Sequence, residues 1–201
     1  MPIGTSVGRC GSAIIVYAAG LALPACSSGQ GYPASQRGSV TQQIAFTTVA
    51  VAYGRPVARG RALFGQLVPW DSVWHPGADS ATRISFNHDV LLDEHEVKAG
   101  DYSLWLIPRD GRPWTVILSR PAAWHRPYPG PSTDVVRFDV IPETLSHMES
   151  LAIYFPSVVR EEAMMRIHWG ETGVPVHIRA PWHAQGSPTI GSSTKLSRPG
   201  V

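Results

Sequence analysis

Cysteine is almost absent from this chain. Of its 201 residues only Cys10 and Cys26 are cysteines, and both lie near the N-terminus. The rest of the chain can therefore form no disulfide, and it offers no thiolate for catalysis or for a cysteine-based metal site. A domain folded from it must be stabilised by burial of its core.

Long apolar runs are also missing. The run AIIVYAAGLAL, from Ala13 to Leu23, is shorter than the roughly 20 residues that a transmembrane helix needs. Arg9 precedes it, and a basic residue before a short apolar run is typical of a secretory signal. Residues 1–25 are therefore predicted to be a signal peptide, and the protein to be exported.

The apolar run ends in Leu23-Pro24-Ala25-Cys26, which resembles the lipobox of bacterial lipoproteins. In that family the signal is cut before the cysteine, whose thiol then carries diacylglycerol. The resemblance implies that Cys26 is lipidated and anchors the protein to a membrane. Ser27, rather than Asp, follows it, which resembles an outer-membrane signal; we expect a lipoprotein facing the periplasm or the outside. The alternatives are ordinary signal cleavage nearby, with Cys26 incidental, and an uncleaved anchor, which the short length of the run disfavours.

Two segments have too few apolar residues to form a core. Residues 26–39 are rich in Ser, Gly, Gln and Pro and are predicted to be a flexible tether. Residues 180–201 have a similar composition and are predicted to be a disordered tail. The intervening residues 40–179 form one predicted domain of ordinary size. The net charge of +2 and the lack of a basic patch argue against a nucleic-acid partner.

Helical periodicity is scarce. Only residues 58–67, 143–148 and 158–164 could hold short helical turns. Alternating strands separated by turn signals predict an all-β fold, a single antiparallel β-sandwich of jelly-roll or immunoglobulin-like type, or a partly closed barrel. The predicted strands are residues 44–53, 82–86, 101–107, 113–118, 135–141, 151–155, 164–169 and 174–178.

The last two strands are predicted to pair as a hairpin around Gly170-Glu171-Thr172-Gly173. Side chains alternate between the two faces of a strand, which allows a face to be assigned to each residue. The core face is predicted to contain Met165, Ile167, Trp169, Val174, Val176 and Ile178. The solvent face is predicted to contain Met164, Arg166, His168, Pro175 and His177.

Familiar catalytic signatures are missing as well. The chain contains no GxSxG elbow, no GxxxxGK[ST] loop and no GxGxxG motif. His95-Glu96 begins an HExxH pattern, but Ala99 stands where the second zinc ligand belongs. No catalytic residue, cofactor or metal site is predicted from these patterns.

One long loop is the most distinctive feature that is present. The stretch from Val51 to Thr82 opens as a strand and then runs for about thirty residues without strand alternation, carrying apolar and charged side chains together. Connections of this length are usually functional or disordered, and the composition argues for order. Leu63, Phe64, Leu67 and Trp74 are predicted to be buried. Arg55 and Arg61 are predicted to be held by carboxylates or backbone carbonyls, and pairing with Asp79 is the hypothesis for what fixes the loop. The binding candidates on it are Arg55, Arg61, Trp74, His75 and Asp79.

A second candidate is the proline-rich stretch 121–131. Four prolines stiffen it, and aromatic rings on a stiff loop suit stacking against a sugar or a peptide. Its binding candidates are Trp124, His125 and Tyr128. The plainer alternative is that Trp124 and Tyr128 cover the edge of the core.

A series of short motifs across residues 40–178 resembles the bacterial family catalogued as domain of unknown function 2911. The resemblance implies an exported β-rich domain and no particular reaction. It departs at His75, where the family tends to have Arg, and at Asp79, where it tends to have Asn. The motifs are Tyr53-Gly54-Arg55-Pro56, Gly60-Arg61, Phe64-Gly65, Leu67-Val68-Pro69, Val73-Trp74, Gly77-Ala78, Ala81-Thr82, Ala99-Gly100-Asp101-Tyr102-Ser103-Leu104, Ile107-Pro108, Trp114-Thr115-Val116-Ile117, Asp134, Arg137 and Ile167-His168-Trp169-Gly170.

Two functions remain open from the sequence. The one it favours is a non-catalytic, lipid-anchored envelope protein that binds a small ligand, a glycan or another envelope protein. The alternative is a hydrolase whose site is built from Arg55, Arg61, His75 and Asp79, since a His beside an Asp can act as an acid–base pair.

Overall fold

The computed structural model describes residues 35–120 and 127–181, and these form an all-β sandwich. A six-stranded sheet has the order β1-β2-β3-β6-β7-β8 and a four-stranded sheet the order β5-β4-β10-β9, with antiparallel neighbours and no closed barrel. The predicted fold class is confirmed. The strands are β1 (Gln36–Ile44), β2 (Thr47–Arg55), β3 (Thr82–Phe86), β4 (Val90–Leu92), β5 (His95–Val97), β6 (Gly100–Ile107), β7 (Trp114–Ser119), β8 (Asp134–Val140), β9 (Glu143–Val159) and β10 (Glu162–Arg179).

The core lies between the two sheets. Side chains of β2 alternate, and Val49, Val51 and Tyr53 point inward. The smaller sheet contributes residues such as Met165 and Ile178 to the core, and both are almost fully buried. The described residues contain no helix that is long and apolar enough to cross a membrane.

Strands β6 and β7 differ from the others because both of their faces are covered. All six residues of β7 are buried, although every second one points away from the sandwich core. Trp105, Ile107 and Ile117 form a second, smaller apolar cluster on that outer face. The outer face of the larger sheet is therefore covered by other parts of the chain where β6 and β7 lie.

Strand β10 folds back on itself. Its 18 residues would extend over about 60 Å if straight. Its ends nevertheless lie together, because the Ala180 N–H donates to the Glu161 carbonyl at 2.8 Å. Gly170, with φ of 59°, supplies the left-handed conformation for the reversal. The predicted reversal is present, although the bond is to Glu161 rather than to Ala163, the partner expected from the predicted register.

The observed register of this reversal differs from the predicted one by two residues. Such a shift leaves every side chain on the same face of the strand, so the predicted core face is unchanged. All six of its residues are buried: Met165, Ile167, Trp169, Val174, Val176 and Ile178.

The predicted solvent face of β10 is wrong at His168, which is only 3% exposed. The long neighbouring strand β9 covers it. The His168 ring nitrogens lie 3.0 Å from the Ser146 carbonyl and 3.2 Å from the Tyr154 hydroxyl. His177 is exposed, as predicted for the same face. It lies beyond the part of β10 that pairs with β9.

The short helical turns allowed for residues 143–148 and 158–164 are also wrong. Both lie mainly in strands, because β9 and β10 pair along most of their length. Residues 58–67 form irregular loop structure instead of a helical turn. At the N-terminal side β1 begins at Gln36, inside the predicted tether, and pairs with β2 as the edge of the larger sheet.

Burial predicts different costs for three substitutions in β10. Trp169→Ala should lower the free energy of unfolding by about 3–5 kcal/mol, as for a large buried aromatic residue. His168→Ala should cost about 1–3 kcal/mol, because the Ser146 carbonyl and the Tyr154 hydroxyl lose their buried partner. The exposed control His177→Ala should stay within about 0.5 kcal/mol. Urea unfolding measures all three, and equal effects of His168→Ala and His177→Ala would contradict the burial of His168.

Candidate ligand site around the long loop

The long loop between Arg55 and Thr82 is tied to the sandwich by backbone hydrogen bonds. Within the loop, the Val68 N–H donates to the Leu63 carbonyl and the Gly65 N–H to the Val68 carbonyl, both at 2.8 Å. Against the sheet, the Trp74 N–H donates to the Leu106 carbonyl and the Leu106 N–H to the Trp74 carbonyl, at 2.8 and 2.7 Å. The loop therefore has a defined conformation at both places.

Aromatic side chains pack the inner side of the loop against the core. The ring of Phe64 lies 4.7 Å from that of Trp114 and 5.9 Å from that of Trp74, centroid to centroid. Trp74 in turn stacks on Trp169 at 6.1 Å. Gly65 follows Phe64 with φ of 87°, and a Cβ there would lie 2.4 Å from the Trp70 indole nitrogen. A side chain at Gly65 would thus disturb this aromatic cluster.

Most of the predicted loop burial holds. Leu63, Phe64 and Trp74 are partly buried and pack against the core. Leu67 does not, since it is 42% exposed. The prediction for Leu67 is wrong because the tight turn closed by Val68 buries Val68 itself and turns its neighbour toward solvent.

The loop arginines are held by backbone carbonyls. Arg55 Nε donates to the Leu151 carbonyl at 3.0 Å. Arg61 Nε donates to the Ala58 carbonyl at 2.9 Å, and Arg61 Nη2 to the Val57 carbonyl at 2.6 Å. The predicted pairing of these arginines with Asp79 is wrong, and backbone carbonyls, which the prediction also allowed, are their acceptors. The Asp79 side chain is exposed and acts electrostatically on His75 instead.

Trp74 and His75 lie on opposite faces of the larger sheet. The Trp74–Leu106 bridge extends the sheet beyond β3, and successive side chains along a strand point to opposite faces. Trp74 therefore packs inward, and the His75 ring lies on the outer face, 5.8 Å from Trp105. The two residues were predicted to share one site, and the structure separates them.

A groove of about 310 Å³ runs beside the inner side of the loop. We call it the loop groove. Arg61 and Trp74 line it, whereas Arg55, His75 and Asp79 do not. None of the described residues that line it is acidic, and Arg59 adds a second guanidinium. Its wall is formed by Ser35, Pro56, Val57, Arg59, Arg61, Leu67, Val68, Trp74, Gly77, Ala78 and Trp169.

Trp105, which the sequence analysis missed as a site residue, lies on the outer face between two of its candidates. His75 contacts one side of it, and Tyr128 lies 5.5 Å away. The Tyr128 hydroxyl donates to the Asp134 carboxylate at 2.7 Å and accepts from Arg137 Nη2 at 3.0 Å. The sequence of β6 could have indicated this covered outer face, because Trp105 and Ile107 are apolar on a face that would normally be polar. Trp124 and His125 lie outside the described residues.

The covering role of Tyr128 agrees with the plainer of its two predictions. Its ring closes the small cluster around Trp105, and its hydroxyl is held by the Asp134–Arg137 ion pair. Burial and the neighbouring carboxylate raise the pKa of Tyr128, so its hydroxyl keeps its proton.

The surroundings of His75 favour the neutral form of its ring. Burial against Trp105 lowers the pKa of its imidazole, and the negative charge of Asp79 opposes this only in part. Its Nδ1 is buried and has no hydrogen-bond partner among the described residues. The His75–Asp79 pair is thus an electrostatic contact without a hydrogen bond that would orient the ring for proton transfer.

The described residues do not provide a set of side chains that could bind a metal ion. Within residues 35–120 and 127–181, no group of three His, Cys, Asp or Glu side chains lies close enough together to hold an ion. The chemistry that the loop groove offers is that of two guanidiniums beside indole rings, which suits an anionic ligand.

Comparison with known proteins identifies the family. A family model described as "Protein of unknown function (DUF2911)" matches residues 35–178, which is most of the chain. The chain belongs to this family, and the resemblance drawn from the sequence motifs is confirmed. No curated protein and no solved structure shows a significant match.

The lowered pKa of His75 predicts a loss of stability in acid. In the unfolded chain the imidazole titrates near pH 6.5, so below that pH the unfolded state binds more protons than the folded one. This contribution to stability is complete above about pH 6.5 and is lost as the pH falls toward the folded-state pKa. His75→Gln should therefore reduce the difference between urea midpoints at neutral and mildly acidic pH. The exposed control His88→Gln should keep the wild-type difference, and an unchanged difference in His75→Gln would contradict the assignment.

Proposed function

We propose that this DUF2911 protein is a lipid-anchored, non-catalytic binding protein of the cell envelope, and that the loop groove is its ligand site. The observation that carries the proposal is a guanidinium, Arg61, fixed by two backbone carbonyls in a groove lined by indoles. The ligand is a small molecule, or part of a glycan or envelope protein, that carries a negative charge.

The fixed position of Arg61 favours binding. Ordering a long side chain when a ligand binds costs conformational entropy, and a side chain that is already held avoids much of this cost. Its Nε and Nη2 face the Ala58 and Val57 carbonyls, which leaves the remaining N–H groups of the fork for a ligand. Guanidinium groups bind carboxylates and phosphates through two parallel hydrogen bonds.

The composition of the groove favours an anion with an apolar or ring-shaped part. Arg59 contributes a second positive charge, and the lining residues that the structure describes include no negatively charged one. The stacked pair of Trp74 and Trp169 supplies flat apolar surface. The indole N–H of Trp169 is buried without a partner among the described residues, and a ligand acceptor within its reach would satisfy it. The volume of about 310 Å³ suits a small ligand.

The proposal of export and anchoring rests on the N-terminal sequence. The apolar run ending in Leu23-Pro24-Ala25-Cys26 supports cleavage before Cys26 and its lipidation. The protein would then be held at the outer membrane, facing the periplasm or the outside, with the membrane as a partner. No nucleic-acid partner and no cofactor is proposed.

The hydrolase alternative gains no support from the geometry. It needs Arg55, Arg61, His75 and Asp79 to converge. Arg55 and Arg61 are bonded to backbone carbonyls near the inner side of the loop, whereas the His75 ring lies on the outer face.

Thermal-shift screening of the protein against soluble anions tests the proposed site. A ligand that binds only the folded state raises the midpoint, by an amount equivalent to about 2.7 kcal/mol at a hundred times its dissociation constant. Arg61→Gln should abolish the shift, since it removes the fixed charge. The control Arg83→Gln, which removes a partly exposed arginine on β3, should keep it. A shift that persists in folded Arg61→Gln, or the failure of every carboxylate, phosphate and sulfated sugar tested, would contradict the proposal.

A further inference from the structure

The geometry points to the phosphate group of membrane lipids as the ligand of the loop groove, so that the domain docks on the bilayer that carries its own anchor. This inference rests on the proposed function and names its ligand class. Three observations carry it: the place where the N-terminal segment joins the groove, the charge of the groove, and an exposed leucine in its wall.

The N-terminal segment joins the domain at the groove itself. Ser35, the first described residue, is part of the groove wall. Cys26 precedes it by nine residues, which span at most about 30 Å when fully extended. If Cys26 carries a lipid, the groove is held within that distance of the lipid headgroups. A short connection gives a high effective concentration, so even a weak contact with the headgroups becomes populated.

The charge of the groove fits a phosphodiester. Arg59 is exposed in its wall, and Arg61 is fixed beside it. The nearby carboxylate of Glu149 already accepts the Arg59 backbone N–H at 2.7 Å and lies 2.8 Å from His147 Nε2. Glu149 also interacts electrostatically with Arg61 and offsets part of its charge, but among the described residues it forms no ion pair with either arginine, so both guanidinium groups can still bind an anionic headgroup.

Leu67 adds an apolar contact next to these charges. It is 42% exposed and belongs to the groove wall. A single exposed leucine is ordinary on a protein surface, but here it lies beside two arginines where the tether joins the domain. Apolar and basic side chains side by side are typical of surfaces that rest in the headgroup region of a bilayer.

Vesicle binding by the unacylated protein tests the inference. The mature chain, beginning at residue 26 and carrying Cys26→Ser, lacks the apolar signal and cannot be acylated. It is mixed with vesicles of phosphatidylcholine, with or without an equal part of phosphatidylglycerol. We expect it to sediment with the anionic vesicles at low salt, and less so as salt is added. Arg61→Gln should lower the partition constant about fivefold, and the Arg59→Gln, Arg61→Gln double variant about 25-fold, as expected for one and two charges at an anionic surface.

Matched controls separate this site from general attraction to a charged surface. Leu67→Gln should weaken vesicle binding, whereas Ile141→Gln, at a more exposed apolar residue outside the groove, should not. Arg83→Gln should lower the partition constant less than Arg61→Gln does. Equal losses from Arg61→Gln and Arg83→Gln, or no binding to the anionic vesicles, would overturn the inference.

Soluble glycerol phosphate distinguishes the lipid from a free ligand. If it raises the thermal midpoint in an Arg61-dependent way while the vesicles do not bind, the anion site stands and the lipid assignment fails. If neither binds, the phosphate assignment fails, and the proposed anion site fails with it only if the carboxylates and sulfated sugars of the thermal-shift screen also give no Arg61-dependent shift. The anchor is tested separately by cell fractionation, where Cys26→Ser should move the protein from the membrane to the soluble fraction.

Discussion

The pair of hydrogen bonds between Trp74 and Leu106 determines how the long loop meets the sandwich. These bonds, at 2.8 and 2.7 Å, continue the larger sheet past the start of β3. Because side chains alternate along an extended chain, they direct Trp74 toward the core and His75 to the outer face. Backbone hydrogen bonds from Ala58 to Glu149 and from Asp71 to Pro108 also attach the loop to the sandwich, but the Trp74–Leu106 pair is the one that sets the faces of Trp74 and His75.

Both surfaces of functional interest depend on that alternation. On the inner side, Trp74 stacks on Trp169 and forms part of the loop groove, where carbonyls of the same loop hold Arg61. On the outer side, His75 covers Trp105, and its burial there lowers the pKa of the imidazole. The inner surface offers fixed positive charge and the outer one a closed apolar cluster, so ligand binding is assigned to the inner one.

Local patterns predicted what depends on local alternation. The buried face of β10 was recovered residue by residue, because a strand packed on a core must show period two. His168 was misplaced, since its burial depends on β9, which no pattern in β10 reveals. The site was only partly predicted: the sequence singled out Arg61 and Trp74 but grouped them with His75. A bridge made by a single residue pair leaves no periodic signal, so the two faces could not be separated.

Amide hydrogen exchange on the folded protein tests this account most directly. The informative amides are those of Val68 and Trp74 in the loop and of Leu106 in β6, which donates to the Trp74 carbonyl. The account predicts that all three are protected to a degree comparable with Leu104, which pairs with β3 within the sheet. Exchange of Val68, Trp74 and Leu106 at rates typical of an unstructured chain, with Leu104 still protected, would show that the loop is not fixed to the sheet. The loop groove would then lack the rigid wall on which the proposed function depends.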